Sequence, residues 1–286
     1  MSLYVVRPGA LTTVQDLGRP GYAHLGVPHS GALDGPAHRL ANRLVGNPAT
    51  AATLETTLDG CALRPSRPLV VAVTGAPCPV RVDGRPVAWG APVRVPEGAV
   101  LDVGTATCGL RGYVGVSGGV DVEPVLGSRA TDLLSGLGPA PLAAGDTLPV
   151  GPATGGTAAT DVPAGPGPVS VLVLPLAPGP RADWFTDGAL ATLATGAYTV
   201  SPHSNRIGLR TLGPRLARAR RGELPSEGMV LGAVQVPPDG RPVVFLADHP
   251  TTGGYPVIGV VPRAALPAAA QAPPGTPIRF RPVRPR

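Results

Sequence analysis

Residues 69–116, LVVAVTGAPCPVRVDGRPVAWGAPVRVPEGAVLDVGTATCGLRGYVGV, decide the fold class. LVVAV, PVRV, a second PVRV, AVLDV and GYVGV are short Val-rich runs cut by Asp-Gly, Trp-Gly, Glu-Gly and Cys-Gly pairs. Apolar runs of this length between glycine turns read as strands. Asp83-Gly84, inside VDGRPV, is the dipeptide that a two-residue hairpin turn requires. No helical pattern alternates with these runs, so the stretch predicts a sheet-rich barrel or sandwich and not a βαβ fold.

Working toward the N-terminus, LYVV (3–6) is strand-like, and residues 12–34 are polar and rich in glycine. A helix follows. Ala37, Leu40, Ala41, Leu44 and Val45 recur at helical spacing, with Asp34 placed to cap the first turn, Pro36 inside it and Gly46 to stop it. Toward the C-terminus, GPATGGTAATDVPAGPGP (151–168) has no apolar period and reads as a linker or long loop. It separates residues 1–150 from 169–286. The second part opens on VSVLVLPL, and the spacing of Trp184 or Phe185, Ala189 and Leu193 predicts a helix over 181–194. YTVS, VVFL, VIGVV and PIRF supply further strands. The fold class is mainly β, in two β-rich subdomains with a few helices.

Composition narrows the function. Of the 286 residues, 43% are hydrophobic and 15% charged, which fits a packed core. All 24 basic residues are arginine and there is no lysine. The chain therefore cannot carry covalent biotin, form a Schiff base or use the lysine of a phosphate-binding loop. The net charge of +6 comes with only 3% aromatic residues and no basic stripe interleaved with rings, which argues against nucleic acid as a partner. The basic cluster RLARARRGE (215–223) reads as a solvated surface segment. Cys61, Cys78 and Cys108 are odd in number and widely spaced, as expected of reduced thiols. The N-terminus lacks the pattern of a signal peptide and no apolar run reaches membrane-span length, so a cytoplasmic location is expected. His24, His29 and His38 match no strong metal-ligand spacing, and no metal site is predicted.

ADHPTTGGYP (247–256) then stands out, because it separates two core strands by far more hydrogen-bonding groups than a turn needs. Gln15, Asp16, Arg19, Asp34, Asn42, Glu55, Asn205, Arg206 and Glu227 lie in comparable polar segments. Each has a structural alternative: Asp34 as a cap, Glu55 as a buried acid bonded to backbone, Asn205 in a turn, Gly253-Gly254 as a bend.

Taken in order, TTVQDLGRPGY, GVPHSGALD, ANRLVGN, LETTLDG, GYVGVSGGVDVEPVLGSRATDL, SNRIGLR, SEGMVLGAVQVPPDGRPV and DHPTTGGYPVIG resemble the successive signatures of the 5-oxoprolinase C-subunit family. That family is also called allophanate hydrolase subunit 2 and is similar to part of the biotin-dependent carboxyltransferase domain of urea carboxylase. Two positions depart from its pattern: Pro250 replaces a frequent glutamine, and Val257 a frequent basic residue.

The resemblance implies two cyclophilin-like β-barrel subdomains. It also implies the A and B subunits of 5-oxoprolinase as partners and ATP-dependent opening of 5-oxo-L-proline to L-glutamate, with ATP and Mg²⁺ as substrate of the complex. Under it, Asp248, Glu227, Asp16 and Arg206 are the expected catalytic residues. Gln15, Arg19, Asp34, Asn42, Glu55, Asn205, Thr251, Thr252, Gly253, Gly254 and Tyr255 are expected to bind substrate. The alternatives it leaves open are a carboxyltransferase acting on urea or a related amide, and a non-catalytic regulator that binds a kinase-inhibitor homologue of the B subunit.

Overall fold

The computed structural model describes residues 1–153, 155–156, 170–220, 222 and 224–283. Most of the expected 151–168 linker lies outside the described residues, as do Arg221 and Glu223 of the basic cluster. The chain divides into two compact units: residues 1–19, 30–132 and 136–168 form the first, and residues 20–29, 133–135 and 169–286 the second.

The first unit packs two antiparallel sheets over one core. One sheet has six strands in the order Thr147–Pro149, Ser2–Arg7, Ala62–Pro65, Leu101–Val103, Val80–Val82 and Arg85–Val87. The other has five: Leu11–Gln15, Thr53–Thr57, Arg111–Val116, Leu69–Gly75 and Val93–Val95. Val5, Leu63 and Leu101 from the first meet Val14, Leu54, Val73 and Val114 from the second in a fully buried cluster. The Val-rich runs of 69–116 form the predicted strands. Val82 pairs with Arg85 across Asp83 (φ 47°) and Gly84 (φ 77°), the left-handed pair of the expected hairpin turn.

Helix α1, Gly35–Leu44, lies against Leu69–Gly75 and Arg111–Val116. Asp34 caps it by accepting from the Ala37 N–H at 3.0 Å. Gly115 is required where helix and sheet touch, because a Cβ there would stand 2.6 Å from the Ala41 carbonyl oxygen. The buried face of α1 is more polar than its periodicity indicates: His38 and Asn42 are fully buried beside Ala41 and Leu44.

The second unit is a closed seven-stranded barrel. Its order is Leu172–Pro178, Val257–Val260, Ala233–Gln235, Val243–Phe245, Gly208–Leu212, Tyr198–Val200 and Pro277–Pro282. The last strand closes the ring by pairing parallel to the first, Leu172 opposite Ile278. Tyr198 and Phe280 meet edge to face at 5.6 Å in its core. Helix α2, Asp187–Thr195, starts later than the periodicity predicts. Thr186 accepts from the Ala189 N–H and so fixes the N-terminus after Phe185, while Ala182–Trp184 forms a separate 3₁₀ turn. The short helix α3, Leu266–Ala270, completes the unit. Among the described residues no helix is long and apolar enough to cross a membrane.

Candidate functional site

In the second unit, the connection after Val243–Phe245 is built in two parts. Its root is a buried ion pair. Asp248 Oδ1 and Oδ2 accept from Arg206 Nη2 and Nε, each at 2.9 Å, and both side chains are 0% exposed. Oδ2 also accepts from the Leu133 N–H at 3.1 Å, and the Asp248 N–H donates to the Arg206 carbonyl at 3.1 Å. A planar guanidinium matched to both carboxylate oxygens fixes direction as well as distance. These two of the four side chains expected to react are enclosed here, and they hold the connection in place.

The tip is open. Thr252 and Tyr255 are exposed, and Thr251, Gly253 and Gly254 are half-buried. A narrow ribbon supports it, with Glu227 opposite Gly253 and Gly228 opposite Thr252, and the Met229 N–H donates to the Thr251 carbonyl at 2.8 Å. Gln235 Nε2 donates to the Tyr255 carbonyl at 3.2 Å. A Cβ at Gly253 would lie 2.8 Å from that Nε2, so a larger residue there would displace the Gln235 amide from its hydrogen bond. Beside the ribbon, Arg181 donates to both oxygens of Glu227, with Nε at 3.1 Å from Oε2. These hydrogen bonds hold the Glu227 carboxyl below its usual range. Asn205 is exposed and its Oδ1 accepts from Ile207 N–H (2.9 Å) and Gly208 N–H (3.3 Å), an Asx turn leading into the strand that follows.

His249 sits between root and tip. Its ring stacks parallel on Phe245, 5.7 Å between centroids, and Nδ1 lies 2.8 Å from the Pro250 carbonyl oxygen. A carbonyl only accepts, so Nδ1 carries the proton. Burial lowers the pKa of the imidazole, opposed by the Pro250 hydrogen bond.

The expected residues of the first unit are enclosed by hydrogen bonds of their own. Asp16 accepts from Gly18 N–H, Ser128 Oγ and Arg129 N–H at 2.8, 2.7 and 2.6 Å, which pins the 127–131 turn. Arg19, 1% exposed, donates to the Ala130 carbonyl and stands 3.9 Å from Asp132. Gln15 Nε2 bonds Thr13 and the Thr131 carbonyl. Glu55 Oε2 accepts from Tyr113 Oη at 2.6 Å and Leu33 N–H at 2.9 Å, and Tyr113 Oη in turn accepts from the Asp34 N–H. Burial, followed by the Glu55 charge, pushes the Tyr113 hydroxyl well above its ordinary value. Asn42 bridges the Ala51 carbonyl and Asn47. Burial also pushes the Cys61 thiol up to about 12 and Cys78 to about 11, so neither is a ready nucleophile.

The carboxyltransferase domain model, subdomains A and B, matches residues 25–282. The chain is 39% identical to the C subunit of 5-oxoprolinase from Escherichia coli over 97% of its own length and 90% of that protein. It is 34% identical to the corresponding 5-oxoprolinase protein of Haemophilus influenzae over 95% of its length and 88% of the relative. The crystal structure of the K. lactis urea amidolyase superposes on 99% of the chain with a TM-score of 0.89 and 31% identity, although this covers 19% of that much longer protein. The chain belongs to the 5-oxoprolinase C-subunit family.

For a member of the 5-oxoprolinase C-subunit family, the motifs that announce membership do two kinds of work here. TTVQDLGRPGY, LETTLDG and the SRATD turn build a polar interior, whereas DHPTTGGYP presents groups to solvent. Sequence reading missed Tyr113, Gln235, Arg181 and His249. Tyr113 sits in a run read only as a strand, and Arg181 has no motif at all. His249 and Gln235 stand inside quoted motifs, and a question about which ring nitrogen or amide faces outward was needed to separate them from their neighbours.

Proposed function

We propose that this chain is the C subunit of an ATP-dependent 5-oxoprolinase, working with the A and B subunits to open 5-oxo-L-proline to L-glutamate. The observation that carries the reading is the 39% identity to the E. coli protein over nearly the whole of both chains. The chemistry of the 248–256 connection supports it. A lactam is a flat, resonance-stabilised amide, and opening it requires donors aimed at the oxygen where charge develops.

The N–H groups of Thr252 and Gly254, which flank the Gly253–Glu227 pair on a ribbon steadied by Gln235, are the donors we assign to this role. Tyr255 adds an exposed phenol beside them. Arg206 and Asp248 act from behind by fixing the connection. Glu227, held charged by Arg181, is the carboxylate we assign to the cation that accompanies the nucleotide. Among the described residues no three metal-ligating side chains gather. Mg²⁺ on a nucleotide needs only one or two carboxylates, because phosphates and water complete its shell, so one glutamate fits this chemistry. ATP supplies the phosphoryl group that activates the lactam oxygen. Attack of water on the ring carbon and cleavage of its bond to nitrogen leave the acyl phosphate of glutamate, which a second water converts to glutamate and phosphate.

The test is release of glutamate from 5-oxoproline by the co-expressed complex of all three proteins, with and without ATP. ATP-dependent release that vanishes when this chain is left out is the expected result. Absence of release from a correctly assembled complex overturns the reading. One observation favours a second reading: the superposition on urea amidolyase at 31% identity. Under it the same flat-amide site would hold urea while the carboxyl group passes to its nitrogen from biotin borne on another protein, and formation of carboxylated urea from carboxybiotin replaces glutamate release as the signal.

A further inference from the structure

We propose that His249 Nε2 is the proton acceptor of this site, the base that takes a proton from the attacking water. The inference rests on the amide-opening reading above and adds to it the residue that moves the proton. Three observations lead to it.

First, the neighbouring carboxylates are engaged. Both oxygens of Asp248 are bonded to Arg206, one also to the Leu133 N–H, and the side chain is 0% exposed. Glu227 is bonded through both oxygens to Arg181. A base must give a lone pair to the incoming proton. Those of Asp248 face Arg206 and the Leu133 N–H, and Glu227 is committed to Arg181 and, through a second lone pair, to the cation assigned to it.

Second, the His249 tautomer is set. Nδ1–H donates to the Pro250 carbonyl at 2.8 Å, which leaves the lone pair of a neutral ring on Nε2. Nε2 makes no hydrogen bond to any described residue. Stacking on Phe245, with 5° between the planes, holds the plane of the ring, and the Nδ1–H bond to Pro250 selects which edge faces away.

Third, the ring is neutral at physiological pH. Burial lowers its pKa below 6.5. The charged and titratable groups acting on the ring are His29, which lowers it, and Asp248, which raises it and whose own charge the Arg206 guanidinium offsets. A neutral imidazole with its lone pair on Nε2 is the state from which a base takes a proton.

The step balances within the site. The oxygen of water bonds to the activated carbonyl carbon as one of its protons passes to Nε2. The imidazolium then delivers that proton to the ring nitrogen, which becomes the leaving group when the carbon–nitrogen bond breaks, and the histidine returns neutral.

The experiment compares the full three-protein complex containing wild-type chain, His249→Asn or His249→Gln, in steady-state glutamate release across pH. Asn keeps an N–H near the place of Nδ1–H for Pro250 but has nothing at Nε2. The expected result is a fall in kcat of about 10²- to 10³-fold with KM changed by less than about 3-fold, the size of a lost general base. The wild-type acid limb, with a midpoint below 6.5, should disappear in both variants. Added imidazole should restore part of the rate. Variants that keep the wild-type kcat and the wild-type acid limb overturn the proposal while leaving the oxoprolinase reading intact. Should both variants fail to fold, a wild-type profile with no inflection below neutrality overturns it equally. A wild-type complex that releases no glutamate overturns both.

Discussion

The two units use the same side chains for opposite purposes. In the first, Asp16, Glu55, Asp34, Asn42 and Arg19 are buried and bonded to backbone groups or to one another. In the second, one buried pair, Arg206–Asp248, carries a connection whose tip remains exposed. Glycine-rich polar segments look alike in a sequence. What separates a brace from a site is whether the polar atoms have met their partners within the fold, because a saturated group has little left to offer a substrate.

The comparison can be broken most directly at the buried pair. Arg206→Met leaves Asp248 charged and enclosed, and should cost about 3–5 kcal/mol in urea unfolding of the chain. Arg206→Met combined with Asp248→Leu should recover part of that loss, since no lone charge is left behind. A loss under about 1 kcal/mol in the single variant would show that water reaches the pair, and the root would then belong with the tip.

In the first unit, Tyr113→Phe strips one hydrogen bond from Glu55 and one from the Asp34 N–H. A buried group left unsatisfied costs about 1–3 kcal/mol, read as a shift in the urea midpoint. Turnover per folded complex should stay within about 2-fold, far short of the loss expected at a general base. A large fall in turnover at wild-type stability would mean that Glu55 meets substrate after all. Asp34→Ala should cost about 1 kcal/mol, the usual value of an N-cap, again with turnover retained.

The smallest effect is in pH. Burial lowers the pKa of His38, and of His249, below 6.5. A histidine whose folded pKa is depressed binds its proton more readily when unfolded. Its contribution is complete above 6.5 and is lost as the pH falls from 6.5 toward the folded value. Thermal midpoints should therefore decline as pH is lowered through this window. His38→Gln should flatten the decline even though it loosens the contacts of His38 with Thr53 and Ala49. An unchanged slope would remove His38 as its source.

Much of the architecture could be read along the chain. The Val-rich runs of 69–116, the Asp83-Gly84 hairpin and α1 with its Asp34 cap all depend on neighbours within a few residues, and all formed where expected. The start of α2 was misplaced, because the Thr186 cap outweighs the apolar period that runs back to Trp184. The candidate site was less legible. Asp248 and its Arg206 partner are 42 residues apart, and Glu55 and Tyr113 are 58. No local pattern states which acid will find a donor at such separations.

The sequence by itself determined that this is a β-rich chain without lysine, of a family marked by eight ordered motifs, with its polar groups gathered at glycine-bearing turns. Those properties follow from local propensity and composition. Only the tertiary structure decided that Asp248 is clamped, that Glu55 is a brace and that His249 turns its lone pair away from Pro250. Each of these depends on which donor a side chain meets across the fold, and long-range contact alone settles whether a charged or polar group is used up in holding the protein together or left to act.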